Sequence, residues 1–274
     1  MIGVCIRLAL ALGLHLRNED PRAGPSQREV LAKTWWTLQS LECLVSMITG
    51  RPPVLAYDDC TVSLPGEQQE PKGGLTTKRT DAKSAKVVRP GKSLTDRRQS
   101  EASDRYFSDH IKITIIAQEV LINLYSPRTA AKTWQYIESH MSKALDKLQE
   151  WRQRALVTNL RSSKAKQKAS FDRQQFLLKT QFWSTQMLIT RPCLCRLKRR
   201  IRNESSASVR FNTASSELCV EAALEMAKLF PDVPDIDFIN RQGPWWSANH
   251  LSKFRSNHIR TSKAHTSTSK SCKA

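Results

Sequence analysis

A chain of 274 residues with 39% hydrophobic side chains is long enough for one or two domains with a sizeable core. Its 44 Lys and Arg against 25 Asp and Glu give a formal charge of +19, a balance that suits polyanionic partners or basic solvated loops. No run of ~18 uncharged apolar residues is present, so no transmembrane helix is expected; the apolar stretch Ile2 to Leu14 lacks the positively charged lead of a secretory signal.

The first element, Ile6 to Arg17, reads as a buried amphipathic helix. A long helix follows. Ser26 and Glu29 have the spacing of a capping box, which predicts a start near Ser26. Val30, Leu31, Trp35, Leu38, Leu41, Val45 and Ile48 recur every three or four residues, which predicts one core-facing stripe, with Trp36 flanking it. Gly50 suits the left-handed position after the last turn, and Pro52 and Pro53 cannot continue the helix. Arg51 is placed to meet exposed helix carbonyls or to pair with Asp58 or Asp59.

Residues 66–105 lose this periodicity and hold ten Lys and Arg against six Asp and Glu, with Pro71, Gly73, Gly74, Pro90 and Gly91 as breakers. Too few apolar side chains remain to offset the entropy of ordering, which predicts a basic disordered linker between two helical parts, 1–65 and 106–246. The second part resumes at Tyr106 with an apolar run through Ile111, Ile116, Val120 and Leu124, read as a helix buried on several sides. Ser126 and Pro127 supply a cap and a first-turn proline for the next helix, whose stripe is Trp134, Ile137, Met141, Ala144, Leu145, Leu148 and Trp151. Further helices are expected over Phe171 to Ile189, bounded by Arg191 and Pro192, and over Ser216 to Phe230, closed by Pro231. Residues 247–274 are too polar to bury a helical face and read as a disordered tail. The fold class is all-α, a multi-helix irregular bundle.

From Arg152 to Arg202 fourteen basic residues face Asp172 alone. The densest part, Arg196, Lys198, Arg199, Arg200 and Arg202, is a candidate nuclear import signal or phosphate contact; the plainer use is to solvate a loop and pair with carboxylates at helix ends. Non-specific binding through it would fall steeply with salt. The seven cysteines include no C-x-x-C pair, so no zinc site is expected, and their odd number suits a reducing compartment. Cys193 and Cys195 lie between Arg191 and Arg196, where positive neighbours favour thiolate and redox sensing, against the default of small apolar packing. The six histidines are scattered, and neither a nucleophile elbow, a phosphate-binding glycine loop nor a paired-histidine metal motif occurs. Catalysis is not expected. Trp36, or Trp245 with Trp246, could line an effector cavity between helices, with core packing as the default.

The block from Glu29 through Trp35-Trp36 to Cys43, followed by Thr49-Gly-Arg-Pro-Pro-Val-Leu55 and Asp58-Asp59-Cys60, resembles the regulatory region of fungal zinc-cluster transcription factors. This region is the fungal-specific transcription factor domain, or middle homology region, of the xylanolytic-activator type. Ile6 to Arg17 is similar to the helix before the tryptophan pair, and Leu124-Tyr-Ser-Pro-Arg-Thr-Ala130, Ile189-Thr-Arg-Pro-Cys-Leu-Cys195 and Gly243-Pro-Trp-Trp246 look like later stretches of one branch. The resemblance implies a nuclear regulator with Trp35, Trp36, Gly50, Arg51, Pro52, Pro53, Asp58 and Asp59 as structural signature. Its expected partners are the transcription machinery, other regulators, a small-molecule effector or a second copy. DNA and zinc binding are implied only for a separate cysteine-cluster module that this sequence does not contain. The expectation is a shortened or mis-joined product that opens inside the first family helix. The alternatives are a stand-alone interaction protein competing for its relatives' partners, or a weak nucleic-acid binder.

Overall fold

The computed structural model describes residues 2–64, 94–156, 165–199, 204–231 and 236–242. Among them run seven α-helices and no strand: α1 (Ile2–Ala11), α2 (Pro25–Thr49), α3 (Leu94–Tyr125), α4 (Trp134–Ala155), α5 (Ala165–Arg199), α6 (Ser206–Ala227) and α7 (Ile236–Gln242). The all-α expectation holds. The chain falls into two compact units, one of Met1–Gln39 with Asp58–Ser108 and one of Ser40–Tyr57 with Asp109–Ala274. These boundaries lie inside α2 and α3.

In the first unit α1 buries Ile6 and Ala9 and leaves Val4 and Leu8 exposed, the one-sided burial of an amphipathic helix. Gly13, at φ 68°, closes it as Leu14 N–H donates to Ala9 C=O at 3.0 Å. The start of α2 differs from the capping box: Pro25 is its first residue, and Gly24 C=O accepts from Gln27 and Arg28 N–H. Proline there loses no helical hydrogen bond, so Ser26 lies inside the helix, and Glu29 reaches forward to Lys33 at 2.7 Å.

The buried face of α2 is also rotated from the expected stripe. Trp35, Trp36, Cys43 and Leu44 are buried together with the polar Gln39, Glu42 and Ser46, while Val30, Leu41 and Ile48 are exposed. Polar residues with internal partners can sit in a core, so hydrophobicity alone did not locate its face. At the far end the expectation is met: Gly50 has φ 67°, and Arg51 N–H donates to Ser46 C=O at 3.2 Å.

In the second unit the later part of α3, from Asp109, builds the larger core with α4, α5 and α6. Helix α3 starts at Leu94, so residues 94–105, expected in the linker, are helical; residues 65–93 lie outside the described residues. Ser126 and Pro127 begin a separate 3₁₀ turn, Pro127–Ala131, and α4 starts afresh at Trp134 with Thr133 Oγ1 accepting from Tyr136 N–H. Along α4 the expected stripe is the inner face, with Ile137, Met141, Ala144, Leu148 and Trp151 buried. Trp151 stacks on Phe182 of α5 at 6.2 Å and donates its ring N–H to Asp109 C=O at 2.8 Å.

Helices α5 and α6 pack through Met187 against Cys219, Ala222, Ala223 and Met226, small side chains that let the two backbones approach. Phe176 of α5, Phe230 and Phe238 of α7 meet edge to face at 5.5 to 6.1 Å and fasten α7 to the pair. The expected boundaries shift here too. Helix α6 begins at Ser206, capped by Ser205, well before Ser216, and α5 runs through Pro192 to Arg199. Proline at 192 has no N–H for the Leu188 carbonyl four residues back. Tyr125 supplies the donor instead, its hydroxyl 2.7 Å from Leu188 O, and burial raises the pKa of that hydroxyl.

Candidate functional site

The Trp-Trp block and the Arg-Pro-Pro turn are built by different contacts, one set in each unit. In the first unit the segment after the 3₁₀ turn Tyr57–Asp59 runs beside the tryptophans of α2. Trp36, 1% exposed, donates its ring N–H to Ser63 C=O at 2.9 Å. Thr61 and Val62 N–H both donate to His15 C=O, and Arg17 N–H donates to Thr61 Oγ1 at 2.9 Å, so the segment is tied by backbone on its other edge. The His15 ring lies 5.7 Å from that of Trp35, and Cys60 Sγ lies 4.0 Å from Gln39 Oε1. Burial pushes the Cys60 thiol up to about 11, against a smaller opposing pull from Trp35. Trp36 is therefore core, the use expected by default, although it lies beside the expected stripe. Adjacent helical positions diverge by about a hundred degrees, so a layer must lie over each ring, and the 60–64 segment provides one. Asp58 and Asp59 are exposed.

In the second unit the Pro-Pro turn is held by residues that the sequence reading passed over. Glu42, 7% exposed, accepts from Val54 N–H at 3.0 Å and from Ser46 Oγ at 2.9 Å through one carboxylate oxygen. Gln118 of α3 donates its side-chain amide to Leu55 C=O. Pro52 and Pro53 cannot donate, so Val54 offers the first N–H after them, and the Glu42 carboxylate, about two turns before the helix end, takes it. Beside this, Cys43 packs with Ala117 and Leu121, its thiol 3.7 Å from Thr114 C=O. Arg51, by contrast, is exposed, and its guanidinium makes no ion pair among the described residues. Its backbone N–H closes the helix; its side chain does not. The signal for Glu42 was a carboxylate next to a buried thiol on a helix heading into two prolines.

Of the basic run, Arg196 alone has a described side chain. It pairs with Glu204 just before α6 and lies 4.3 Å over the Trp134 ring of α4. Both pair members are largely covered, 21% and 11% exposed, so this arginine ties three segments together. Lys198 and Arg199 end α5 without described side chains, and Arg200, Arg202, Trp245 and Trp246 lie outside the described residues. Cys193 is buried against Met141 at 3.9 Å, and burial pushes its thiol up to about 12, with Ser215 the largest opposing contact and Arg196 a lesser one. The lowered pKa expected beside Arg191 and Arg196 is thus reversed at Cys193, because desolvation outweighs the neighbouring charge. Cys195 is exposed.

Helices of which α2 buries its tryptophan pair at mid-length and holds the Pro-Pro turn after it through Glu42 define a structural module before any chemistry. Residues 1–153 match the model of the fungal specific transcription factor domain, and the chain belongs to that family. It is similar to the transcription regulator galc of Aspergillus niger, 22% identical over 90% of this chain and 35% of the relative. It is also similar to activator of stress genes 1 of Saccharomyces cerevisiae, 22% identical over 83% of this chain and 22% of the relative. A shorter stretch, 23% of the chain and 8% of the relative, is 34% identical to the acetamidase regulatory protein of Aspergillus fumigatus. The chain therefore spans about a third or less of the length of these relatives. No solved structure matches it. The family is the regulatory domain of fungal transcription factors, and these relatives are transcription regulators.

Proposed function

We propose that this chain is a control module that acts in the nucleus, through restraint, effector sensing or contact with the transcription machinery and other regulators, and not through catalysis. Trp35, Trp36, Gly50, Arg51, Pro52, Pro53, Asp58 and Asp59 form its structural signature. The observation that carries the reading is the way this block is used: the Trp36 ring N–H goes to Ser63 C=O and the Glu42 carboxylate to Val54 N–H. Polar groups committed to internal hydrogen bonds make a rigid surface for contacts and leave little for bond making.

Reading of DNA sequence, and the zinc that supports it, are assigned to a separate module of the family. Arg196, held by Trp134 and Glu204, favours a structural use for the start of the basic run over phosphate contact. The test is to join the chain to a heterologous DNA-binding module in a fungal host and measure a reporter carrying that module's site. Activation or repression relative to the module alone is expected; output equal to the module alone contradicts the proposal.

A further inference from the structure

Helix α1 is apolar on two sides. Ile6 and Ala9 are buried, yet Val4 and Leu8 on the other side are 62% and 59% exposed, and Leu12 in the turn that follows is 75% exposed. Leu12 N–H still donates to Leu8 C=O at 2.9 Å, so the three side chains form one row at steps of four residues. Gly3, Cys5 and Ala11 beside this row are exposed as well. A helix apolar around most of its surface is normally covered, and bulky apolar side chains left in water side by side mark a contact surface where scattered ones do not.

The charge on this face has one sign. Arg7 is exposed, makes no ion pair among the described residues, and stands one helical turn from both Val4 and Ala11. Residues 1–18 hold no Asp or Glu. We propose that Val4, Leu8 and Leu12, with Arg7 at their flank, are a docking face for an amphipathic helix of a partner protein, one whose bulky apolar side chains recur every three or four residues beside carboxylates. Burial of the row supplies the affinity, and attraction of those carboxylates to Arg7 decides which sign of partner is accepted. Such a helix gives chemical form to the regulator contacts proposed above and rests on that reading; binding in solution is measured apart from reporter output, so either can fail alone.

Other occupants fit this face less well. A second copy paired antiparallel about Leu8 would set Arg7 against its own counterpart, and a row of about two and a half turns offers well under the roughly 800 Å² per partner that a stable dimer buries. The two longest stretches of this chain outside the described residues also lack the required pattern. Residues 243–274 include Trp245, Trp246, Leu251, Phe254 and Ile259 but no Asp or Glu, so their side chains carry charge of the same sign as Arg7. Residues 65–93 hold Leu75, Val87 and Val88 as their bulky aliphatic side chains, with no pair at three- or four-residue spacing. An acidic helix from another protein meets both demands, apolar spacing and opposite charge.

The test is fluorescence anisotropy of the purified full chain with two labelled peptides of about four helical turns, both with Leu at three- and four-residue steps, one flanked by Glu and the other by Lys. At low salt the Glu peptide is expected to bind at least about tenfold tighter than the Lys peptide, with the difference narrowing as salt rises. L8S and L12S should each weaken it at least about tenfold, and R7E should turn the preference toward the Lys peptide. Circular dichroism and urea midpoints check that the three variants fold as the parent does, which the exposure of all three positions allows. Binding of neither peptide, equal binding of both, or binding indifferent to L8S and L12S overturns the assignment. Sedimentation of the chain alone tests the rival occupant: a dimer that L8S dissociates gives the face to a second copy and overturns it too.

Discussion

Tyr125 donates its hydroxyl to the Leu188 carbonyl at 2.7 Å, and Leu188 is the residue whose helical donor Pro192 removes. A proline inside a long helix is normally costly because a carbonyl loses its partner and the ring crowds the preceding turn. Here the end of α3 supplies the missing donor, so the helix continues to Arg199 and carries Cys193 and Arg196 on its last turns.

Tyr125→Phe should cost about 1–3 kcal/mol in chemical denaturation, since it leaves a carbonyl in the core without a donor. In a Pro192→Ala background the restored amide can serve the same carbonyl, and the same change should then cost under about 1 kcal/mol. Equal costs in the two backgrounds would mean that the two residues are not coupled through Leu188.

At the Pro-Pro turn the side chains divide unequally. Glu42→Ala should cost about 1–3 kcal/mol, because Val54 N–H and Ser46 Oγ both lose their acceptor. Arg51→Ala should stay within about 0.5 kcal/mol, as expected for an exposed side chain with no ion pair among the described residues. Gly50→Ala should cost about 1 kcal/mol for its left-handed backbone at φ 67°. Urea midpoints in the order Arg51→Ala, Gly50→Ala, Glu42→Ala check all three; a larger loss for Arg51→Ala than for Glu42→Ala would reverse the assignment of the clamp.

Burial pushes the His110 imidazole from 6.5 down to about 4, against a smaller upward pull from Gln181. The unfolded chain therefore takes up the proton first as pH falls. The contribution is fully present above 6.5 and is lost as pH drops toward 4, by at most about 3 kcal/mol at 1.36 kcal/mol per unit. Carboxylates titrate in the same range, so the measurement is the difference in pH slope between the parent and His110→Gln. A parent no steeper than the variant would contradict the buried neutral ring.

Thiol labelling separates the cysteines by environment. With iodoacetamide under native conditions, exposed Cys5 and Cys195 should react first, while buried Cys43, Cys193 and Cys219 wait for unfolding. Burial raises the Cys193 and Cys219 pKa values further from reactivity. Labelling of Cys193 as fast as Cys195 would restore a sensing pair.

Much of this was legible where local chemistry decides. Gly50 with two prolines marked the end of α2, and the three- and four-residue spacing from Ile137 to Trp151 marked the inner face of α4. What escaped was set by tertiary partners. The buried face of α2 includes Gln39, Glu42 and Ser46, which no hydrophobic pattern selects, and Pro192 read as a boundary because Tyr125, far away in sequence, could not be foreseen as its compensation. Core packing was the default for Trp36, and the 60–64 segment that covers it could not be read from the helical pattern. Arg51 drew attention by its charge, whereas the clamp is the carboxylate of Glu42.

The measurement that bears most directly on a control function is reporter output from the chain tethered to a heterologous DNA-binding module, beside a tethered Glu42→Ala variant shown by circular dichroism to remain helical at the assay temperature. The account predicts that the parent shifts output away from the module alone and that the variant, at equal abundance, shifts it less. Output from the parent no different from that of the bare module would contradict it.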